Sequence, residues 1–449
     1  MRQLNLNLFV YPAGHHEAAW RFRGAEPHRV LDITYYQELA RRAEEATFDA
    51  VFFADGPSLP DNVRYASRFR LEPFTWLSAL AMATSRIGLI ATASTTYLEP
   101  YNLARLFASL DHLSGGRAGW NIVTTGAPQA AQNFGLDEHP PHASRYARAD
   151  EFVRVVSALW DSWEDDALII DPDSGVFADD AKIHPIEHAG EWLRVRGPLN
   201  TPRIPQGRPV YVQAGSSQDG KAFAARHAEA IFTAHQTLDN ARAFYADVKA
   251  RVRAEGRDPD LVKVLPGISP FIGSTEAEAL ALRKEFDELT QPEYSLRQLR
   301  QFLGVDLSGH DLDGPVPREK LPTHEQRGYG SRFQVVVDII DRERPTIRQL
   351  LHRLAGARGH WVTAGTPEQI ADRMQEWFLG GAADGFNVMP PYLNGGFDVF
   401  ADEVVPILRR RGLFRTAYEG STLRSHYGLP RPASQYGPRQ VSGGGRGVR

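Results

Sequence analysis

Short apolar runs alternate with longer amphipathic stretches along most of the chain. Apolar positions at helical spacing follow most of the runs, which is typical of strand and helix alternation. The apolar runs predict eight buried strands, at residues 4–10, 50–55, 87–95, 118–125, 209–215, 230–234, 262–272 and 384–389. The amphipathic stretches predict helices at residues 34–46, 74–84, 103–113, 145–163, 217–227 and 366–378. Thr366 and Pro367 suit the N-cap and first turn of the last helix.

Repeated strand and helix alternation predicts a parallel sheet, and eight such units predict a (β/α)8 TIM-like barrel with insertions. A doubly wound open sheet is the alternative, but the chain has no GxGxxG motif. Two long connections interrupt the alternation, at residues 164–208 and 274–360. The second is broken by Gly and Pro at 304–322 and predicts a helical insertion that covers one end of the barrel.

The expected domain organisation is a barrel domain over residues 1–428 and a disordered basic tail over 429–449, where Gly, Pro and Arg have little to bury. The composition is that of a globular protein, with 42% hydrophobic and 24% charged residues. A net charge of -4 favours neither nucleic acid nor an anionic membrane as a partner. The chain has no cysteine, which excludes disulfides, thiolate nucleophiles and cysteine-bound metals. It has no apolar run of spanning length and no signal peptide, so we expect a cytoplasmic protein.

Polar residues stand where four successive predicted strands end. In a barrel these ends meet at one mouth, where active sites form, so together they predict one concave site. The candidates are Asp55, Thr92, Asn121, Thr125, Ser216 and Ser217. Each alone also has an ordinary role, as a turn aspartate, a strand threonine, a core amide or a helix cap.

Two helix starts suggest what this site binds. Ser216 and Ser217 precede a helix whose free N–H groups suit a phosphate, although a plain N-cap has the same sequence. His142 and Tyr146 are four residues apart on one helix face, where they could hold a phosphate or an aromatic ring system. A surface histidine beside a core tyrosine is the alternative. The adjacent His15 and His16 lack metal-ligand spacing, so we expect no metal.

Several segments resemble the bacterial-luciferase-like flavin monooxygenases, in the group of the nitrilotriacetate, dibenzothiophene-sulfone and long-chain alkane monooxygenases. They are "FFADGPSLPDN", the stretch from "TSRIGLIATAST" to "GGRAGWNIVTT", "HASRYARADEF" and "QAGSSQDGKAFAARHAEAIF". The resemblance implies a two-component system in which a separate flavin reductase supplies reduced FMN. It implies FMN contacts at Asp55, Thr92, His142, Tyr146 and Ser217, with Asn121, Thr125 and Ser216 as further candidates.

On this reading the enzyme uses O2 to oxygenate a small organic substrate. His142 is also the candidate for proton transfer, and Trp120 is expected to pack near the flavin. We expect a homo-oligomer, either a dimer or a tetramer. Two other classes stay open at this point, a barrel oxidoreductase that uses a deazaflavin and a flavin-binding protein without catalysis.

Overall fold

The computed structural model describes residues 2–59, 63–67, 70–215, 217–323 and 331–436. Its strands are β1 (Asn5–Val10), β2 (Ala50–Phe53), β3 (Gly88–Ser94), β4 (Ala118–Val123), β5 (Leu168–Asp171), β6 (Val176–Ala178), β7 (His188–Ala189), β8 (Arg194–Val195), β9 (Val210–Gln213), β10 (Ala230–Thr233), β11 (Lys263–Ile272), β12 (Trp361–Gly365) and β13 (Gly385–Val388). Parallel pairing runs in the order β10-β9-β4-β3-β2-β1-β13-β11, and pairing of β10 with β11 closes the ring. The predicted eight-stranded barrel is confirmed.

The strand β12 was not predicted. It pairs with residues 268–272 of β11, beyond the part of β11 that pairs with β10. β11 is therefore shared, since its first half closes the barrel and its second half carries β12 outside it. The pairs β5–β6 and β7–β8 form two antiparallel hairpins within the predicted excursion at 164–208.

The helices are α1 (Ile33–Glu45), α2 (Pro73–Ala81), α3 (Pro100–Ser114), α4 (His142–Trp160), α5 (Gln218–His227), α6 (Leu238–Ala254), α7 (Glu276–Glu288), α8 (Pro292–Leu303), α9 (Ser331–Glu343), α10 (Ile347–Ala355), α11 (Pro367–Leu379), α12 (Gly395–Val399), α13 (Val405–Arg410) and α14 (Leu423–His426). The cap predicted for α11 is present, because the Thr366 side chain accepts from the N–H of Gln369 at 3.3 Å. The helix α6 was not predicted. Among the described residues, no helix is long and apolar enough to span a membrane.

Alternation along the strands divides the buried residues into two layers. Phe9, Phe52 and Ile90 point into the barrel, whereas Leu8 and Phe53 pack against the surrounding helices. Trp120 belongs to the outer layer, where its indole N–H donates to the carbonyl oxygen of Ala93 at 3.1 Å. The expectation that Trp120 packs near the flavin is wrong, because Trp120 points outward and its neighbour Asn121 points into the barrel.

The C-terminal segment closes the N-terminal end of the barrel. Leu423 and Tyr427 join the inner layer, and the Tyr427 hydroxyl donates to the Asn7 side chain at 2.8 Å. A side chain at Gly88 or Gly119 would come within 2.4 or 2.9 Å of Leu423, so both glycines make room for it. Next to this plug, Arg424 forms a buried ion pair with Glu229 at 2.9 and 3.0 Å.

The long connection between β11 and β12 carries α7 to α10. Its own apolar cluster includes Leu303, Leu307, Val316, Leu321 and Phe333. The described part of the predicted tail contacts the barrel domain, since Arg431 pairs with Asp165 at 2.9 Å and the Tyr436 ring stacks on His184 at 3.8 Å. Residues 437–449 lie outside the described part of the chain.

Candidate active site

A pocket opens at the carboxyl ends of β2, β4 and β9. Its lining includes three of the residues predicted from the sequence, Asp55, Thr125 and Tyr146, together with Gln213 and Phe223. The strands place these residues together because parallel strands of a barrel end at one face. Three of the four predicted strand ends, those of β2, β4 and β9, therefore contribute to one concave pocket, while the end of β3 does not line it.

Two further predicted residues lie deeper along the neighbouring strands β3 and β4. Thr92 and Asn121 are register partners, and the Asn121 amide donates to the Thr92 hydroxyl at 2.9 Å. The Thr92 hydroxyl in turn donates to the carbonyl oxygen of Phe53 at 2.7 Å. Asn121 is only 3% exposed, and its side-chain oxygen has no hydrogen-bond partner in the described structure. An unpaired buried acceptor is costly, so this amide oxygen is poised to receive a donor from a bound molecule.

The loop after β4 is held open by a buried arginine. Arg145 donates to the carbonyl oxygens of Thr124 at 2.9 Å and Thr125 at 2.6 Å. Thr125 has a φ of 48°, in the left-handed region, and its hydroxyl bonds to Ser94 at 2.7 Å. These contacts fix the backbone at the pocket wall in a conformation that threonine rarely adopts.

Tyr146 connects the β4 loop to the start of α5. Burial raises the pKa of its hydroxyl, while hydrogen bonds with the Ser217 and Thr124 side chains oppose that rise. Ser217 is the N-cap of α5, since its side chain accepts from the N–H of Gly220 at 3.0 Å. The first turn of α5 thus meets a set of hydroxyl groups at the pocket rim, which is suited to a phosphate.

His142 lies at the outer edge of this rim. Its Nδ1 is 3.0 Å from an Asp219 carboxylate oxygen, its side chain is 45% exposed, and its ring packs on Tyr146 at 4.9 Å. The predicted His142 and Tyr146 pair is therefore present on one helix face, but the histidine faces Asp219 at the surface. Ser216 lies outside the described residues.

Asp55 links this pocket to the opposite side of the mouth. Burial raises the pKa of its carboxyl, while the Gly56 N–H and the Arg70 guanidinium oppose the rise. Arg70 reaches across to Tyr11, where it donates to the hydroxyl and lies 4.8 Å from the ring centre. Below them an inward aromatic floor is formed by Phe9, stacked on Phe52 at 4.6 Å.

The far wall of the mouth comes from the loop after β1 and from the insertion. The His15 ring lies 4.7 Å from the Phe9 ring at an interplanar angle of 54°, and its Nε2 lies 2.8 Å from the carbonyl oxygen of Phe9. A carbonyl only accepts, so Nε2 carries the proton and Nδ1 accepts from Arg358 at 2.9 Å. Burial and the Arg358 charge hold the pKa of His15 well below its usual range. His15 is therefore a neutral histidine with both ring nitrogens hydrogen-bonded within the protein.

Sequence reasoning missed three arginines of the mouth, Arg70, Arg145 and Arg358. Only Arg145 could have been predicted from nearby residues, because it lies within "HASRYARADEF" beside the predicted His142 and Tyr146. Arg70 and Arg358 are separated by almost 300 residues of sequence and meet only through Tyr11.

These features define a TIM-barrel enzyme with a polar, partly buried pocket at the carboxyl ends of its strands. The family model for luciferase-like monooxygenases matches residues 13–384. The chain belongs to that family and is a monooxygenase, as the sequence resemblance indicated.

Relatives are similar over nearly the whole chain. N-acetyl-S-(2-succino)cysteine monooxygenase of Bacillus subtilis is 50% identical, covering 97% of this chain and 98% of the relative. Nitrilotriacetate monooxygenase component A of Aminobacter aminovorans is 50% identical, covering 96% and 97%. Dibenzothiophene-sulfone monooxygenase of Rhodococcus erythropolis is 41% identical, covering 97% and 99%.

Solved structures agree with this grouping. DmoA from Hyphomicrobium sulfonivorans is 31% identical and superimposes with a TM-score of 0.87, covering 95% of this chain and 92% of that one. Riboflavin lyase (RcaE), solved with modified FMN and its substrate riboflavin, is 34% identical with a TM-score of 0.83, covering 96% and 97%.

Proposed function

We propose that this protein is the oxygenase component of a two-component system that uses reduced FMN and O2 to oxygenate a small organic substrate, with the reduced FMN supplied by a separate flavin reductase. The observation that carries the proposal is the unpaired, buried side-chain oxygen of Asn121 beside Thr92, below a pocket rimmed by hydroxyl groups. A relative at 50% identity is named as component A, which supports a second component. A relative solved with modified FMN supports the choice of flavin.

The residues present fit FMN. A flavin ring carries N–H groups, so the Asn121 side-chain oxygen and the Asp55 carboxylate would orient it by accepting hydrogen bonds at its edge. The hydroxyls of Tyr146 and Ser217, with free N–H groups of the first turn of α5, would hold the phosphate. Thr92 fixes the Asn121 amide, and Thr125 with Ser94 shapes the wall. We also propose Ser216 as a contact of the phosphate, because it directly precedes Ser217 in the sequence.

Reduced FMN, when bound, supplies the electrons that activate O2, so that one oxygen atom enters the substrate and the other leaves as water. The protein's part is to orient the reactants and to keep water out. The aromatic floor of Phe9 and Phe52 and the buried His15 line the interior side of the mouth with packed rings, which favours the exclusion of water. We propose that His142 carries a proton in the reaction and that Asp219, 3.0 Å from its Nδ1, holds its ring.

Anaerobic titration with reduced FMN, reduced FAD and a reduced deazaflavin tests the cofactor. We expect reduced FMN to bind tightest, since the described pocket offers one compact phosphate site. Admission of O2 in the presence of a generic flavin reductase, NADH and a panel of small organic compounds tests the reaction. The expected product has gained one oxygen atom by mass spectrometry. Preference for the deazaflavin, or tight FMN binding with no oxygenated product from any substrate class, would contradict the proposal.

A further inference from the structure

A cavity of about 370 Å³ lies on the outside of the barrel, between α4 and α5. Its wall includes Arg208, just before β9, and Arg257, in the loop before β11. The cavity is therefore at the amino ends of the strands, whereas the proposed flavin pocket opens at their carboxyl ends. Small-molecule sites usually have volumes of about 300–1,000 Å³, so this cavity is large enough for a ligand of its own.

The wall of this cavity is rich in arginine. Its four arginines come from α4, from α5 and from the loops before β9 and β11, and they are Arg154, Arg226, Arg208 and Arg257. Asp161 is the one carboxylate among the described residues of the wall. Both of its oxygens are engaged elsewhere, since one accepts from Arg203 at 2.9 Å and the other from the Gln435 N–H at 2.6 Å.

Two of the arginines share the carboxylate of Asp150, which lies outside the cavity wall. Arg154 is 3.6 Å from one Asp150 oxygen, and Arg226 is 3.4 Å from the other. His227 lies 2.7 Å from that second oxygen. Burial lowers the pKa of the His227 imidazole, the Asp150 contact opposes this, and the Arg226 and Arg257 charges lower it again. His227 is therefore neutral at pH 7, and Asp150 faces two permanent positive charges.

Glu229 is shared in the same way. Arg208 holds its carboxylate with two hydrogen bonds of 2.9 Å, and the buried Arg424 holds it at 2.9 and 3.0 Å. Arg257 forms no ion pair among the described residues, and it donates to carbonyl oxygens at the end of α5 at 2.8 and 2.7 Å. Carbonyl dipoles satisfy these donors, but they do not cancel the charge of Arg257.

Five arginines thus share two carboxylates around this cavity, which leaves it with a net positive charge. We propose that the cavity is a second ligand site, separate from the flavin pocket, for a small molecule that carries a phosphate group. A phosphate monoester carries about 1.5–2 negative charges at pH 7, whereas a carboxylate carries one. Guanidinium groups also match phosphate oxygens in paired hydrogen bonds. The volume leaves room for the organic part of a phosphate ester.

Calorimetry on the full chain tests this proposal. The probes are inorganic phosphate, glycerol 3-phosphate and succinate, in a chloride buffer of low ionic strength. We expect both phosphates to bind, succinate to bind much more weakly, and binding to weaken as sodium chloride is added. Failure of both phosphates to bind would overturn the proposal. Succinate binding as tight as that of the phosphates would also overturn it, because the site would then be a general anion site.

The decisive variant is Arg226→Gln, because Arg226 contacts Asp150 only through a 3.4 Å ion pair and its side chain is 43% exposed. We expect glycerol 3-phosphate affinity to fall roughly tenfold, and Arg226→Lys to recover part of it. Arg154→Gln should weaken binding in the same direction. The matched control is Arg253→Gln, an exposed arginine near the end of α6 that does not line the cavity. An equal loss in that control would overturn the proposal, and circular dichroism reports the folding of each variant.

The start of α5 is the other place where a phosphate could bind, so Ser217→Ala locates the probe. We expect glycerol 3-phosphate affinity to be unchanged in Ser217→Ala, and reduced FMN affinity to be unchanged in Arg226→Gln. Weaker glycerol 3-phosphate binding in Ser217→Ala but not in Arg226→Gln would place the probe in the flavin pocket and overturn the proposal. A selective loss of FMN over riboflavin in Arg226→Gln would assign the cavity to the cofactor phosphate and overturn the second site.

Discussion

The Arg145 guanidinium, on the first turn of α4, holds the carbonyl oxygen of Thr125 at 2.6 Å, in the loop that ends β4. The same nitrogen also reaches the carbonyl oxygen of Thr124 at 2.9 Å. A helix side chain thereby stabilises the one left-handed residue in the pocket wall. The pocket shape thus depends on the helix that follows β4 as well as on the strand itself.

Arg145→Met should therefore loosen the pocket wall. We expect the free energy of unfolding to fall by about 1.5–3 kcal/mol, the usual value of hydrogen bonds from a charged donor, and the affinity for reduced FMN to fall with it. Denaturant unfolding and anaerobic flavin titration measure the two effects. The control is Arg148→Met, one turn further along α4, where the guanidinium lies 5.5 Å from the Phe152 ring. An equal loss of flavin affinity in both variants would contradict a specific role for Arg145.

Ser217→Ala should weaken FMN more than riboflavin, since only FMN carries the phosphate. Loss of the N-cap of α5 should also cost about 1 kcal/mol of stability. Thr237→Ala is the matched control, because Thr237 caps α6 in the same way by accepting from Asn240 at 3.3 Å, away from the pocket. If Ser217→Ala and Thr237→Ala change flavin binding alike, Ser217 is a helix cap and no more.

Asn121→Ala should reduce affinity for FMN and riboflavin alike, because the unpaired amide oxygen is proposed to contact the ring system that both share. The control Asn387→Ala removes another inward amide, whose groups are paired within the protein to Asn7 and to the Leu265 carbonyl, each at 3.0 Å. That control should lose stability but keep its flavin affinity. Flavin titration with unfolding curves for each variant distinguishes the outcomes. Unchanged flavin affinity in Asn121→Ala would remove the amide from the proposed site.

Stability should fall as the pH drops below the ordinary histidine value of 6.5. His15 has a pKa well below that value in the folded protein, because of burial and Arg358. In the unfolded chain the His15 imidazole binds a proton at a pH where the folded protein does not. The free energy of unfolding therefore falls by about 1.4 kcal/mol per pH unit as the pH decreases below 6.5. Denaturant unfolding from pH 8 to pH 5 should show this slope reduced in His15→Gln. An identical pH dependence in both proteins would mean that other groups cause it.

The insertion should become protected against hydrogen exchange when reduced FMN binds, because α8 and α10 line the cavity beside Tyr11 and His15 at the mouth of the barrel. The hairpin β5–β6, remote from the mouth, serves as the internal control. Slow exchange in α8 that ligands leave unchanged would make the insertion a fixed wall, not a lid.

Local patterns in the sequence predicted most strands and helices of the barrel. Apolar runs and helical spacing are local, so β1 to β4 and α1 to α4 were found with bounds shifted by a few residues, and the polar strand ends marked the pocket. Whether a strand side chain points into the barrel or out of it depends on strand pairing, which local patterns do not show. Trp120 and Asn121 are adjacent, and only the strand register shows which of them points inward. The pairing of Arg70 with Arg358 could not be predicted, because it depends on how the insertion folds back over the β1 loop.

The plug formed by Leu423 and Tyr427 has a consequence for the order of events during synthesis. The N-terminal end of the barrel is filled by residues that follow every strand of the ring in the sequence, and that are therefore synthesised after all of them. While those residues are still inside the exit tunnel, the emerged strands enclose an unfilled interior between Gly88, Gly119 and Asn7. The barrel interior is therefore filled only when this segment has emerged and packed into it, and until then the chain exposes apolar surface that favours association with other chains.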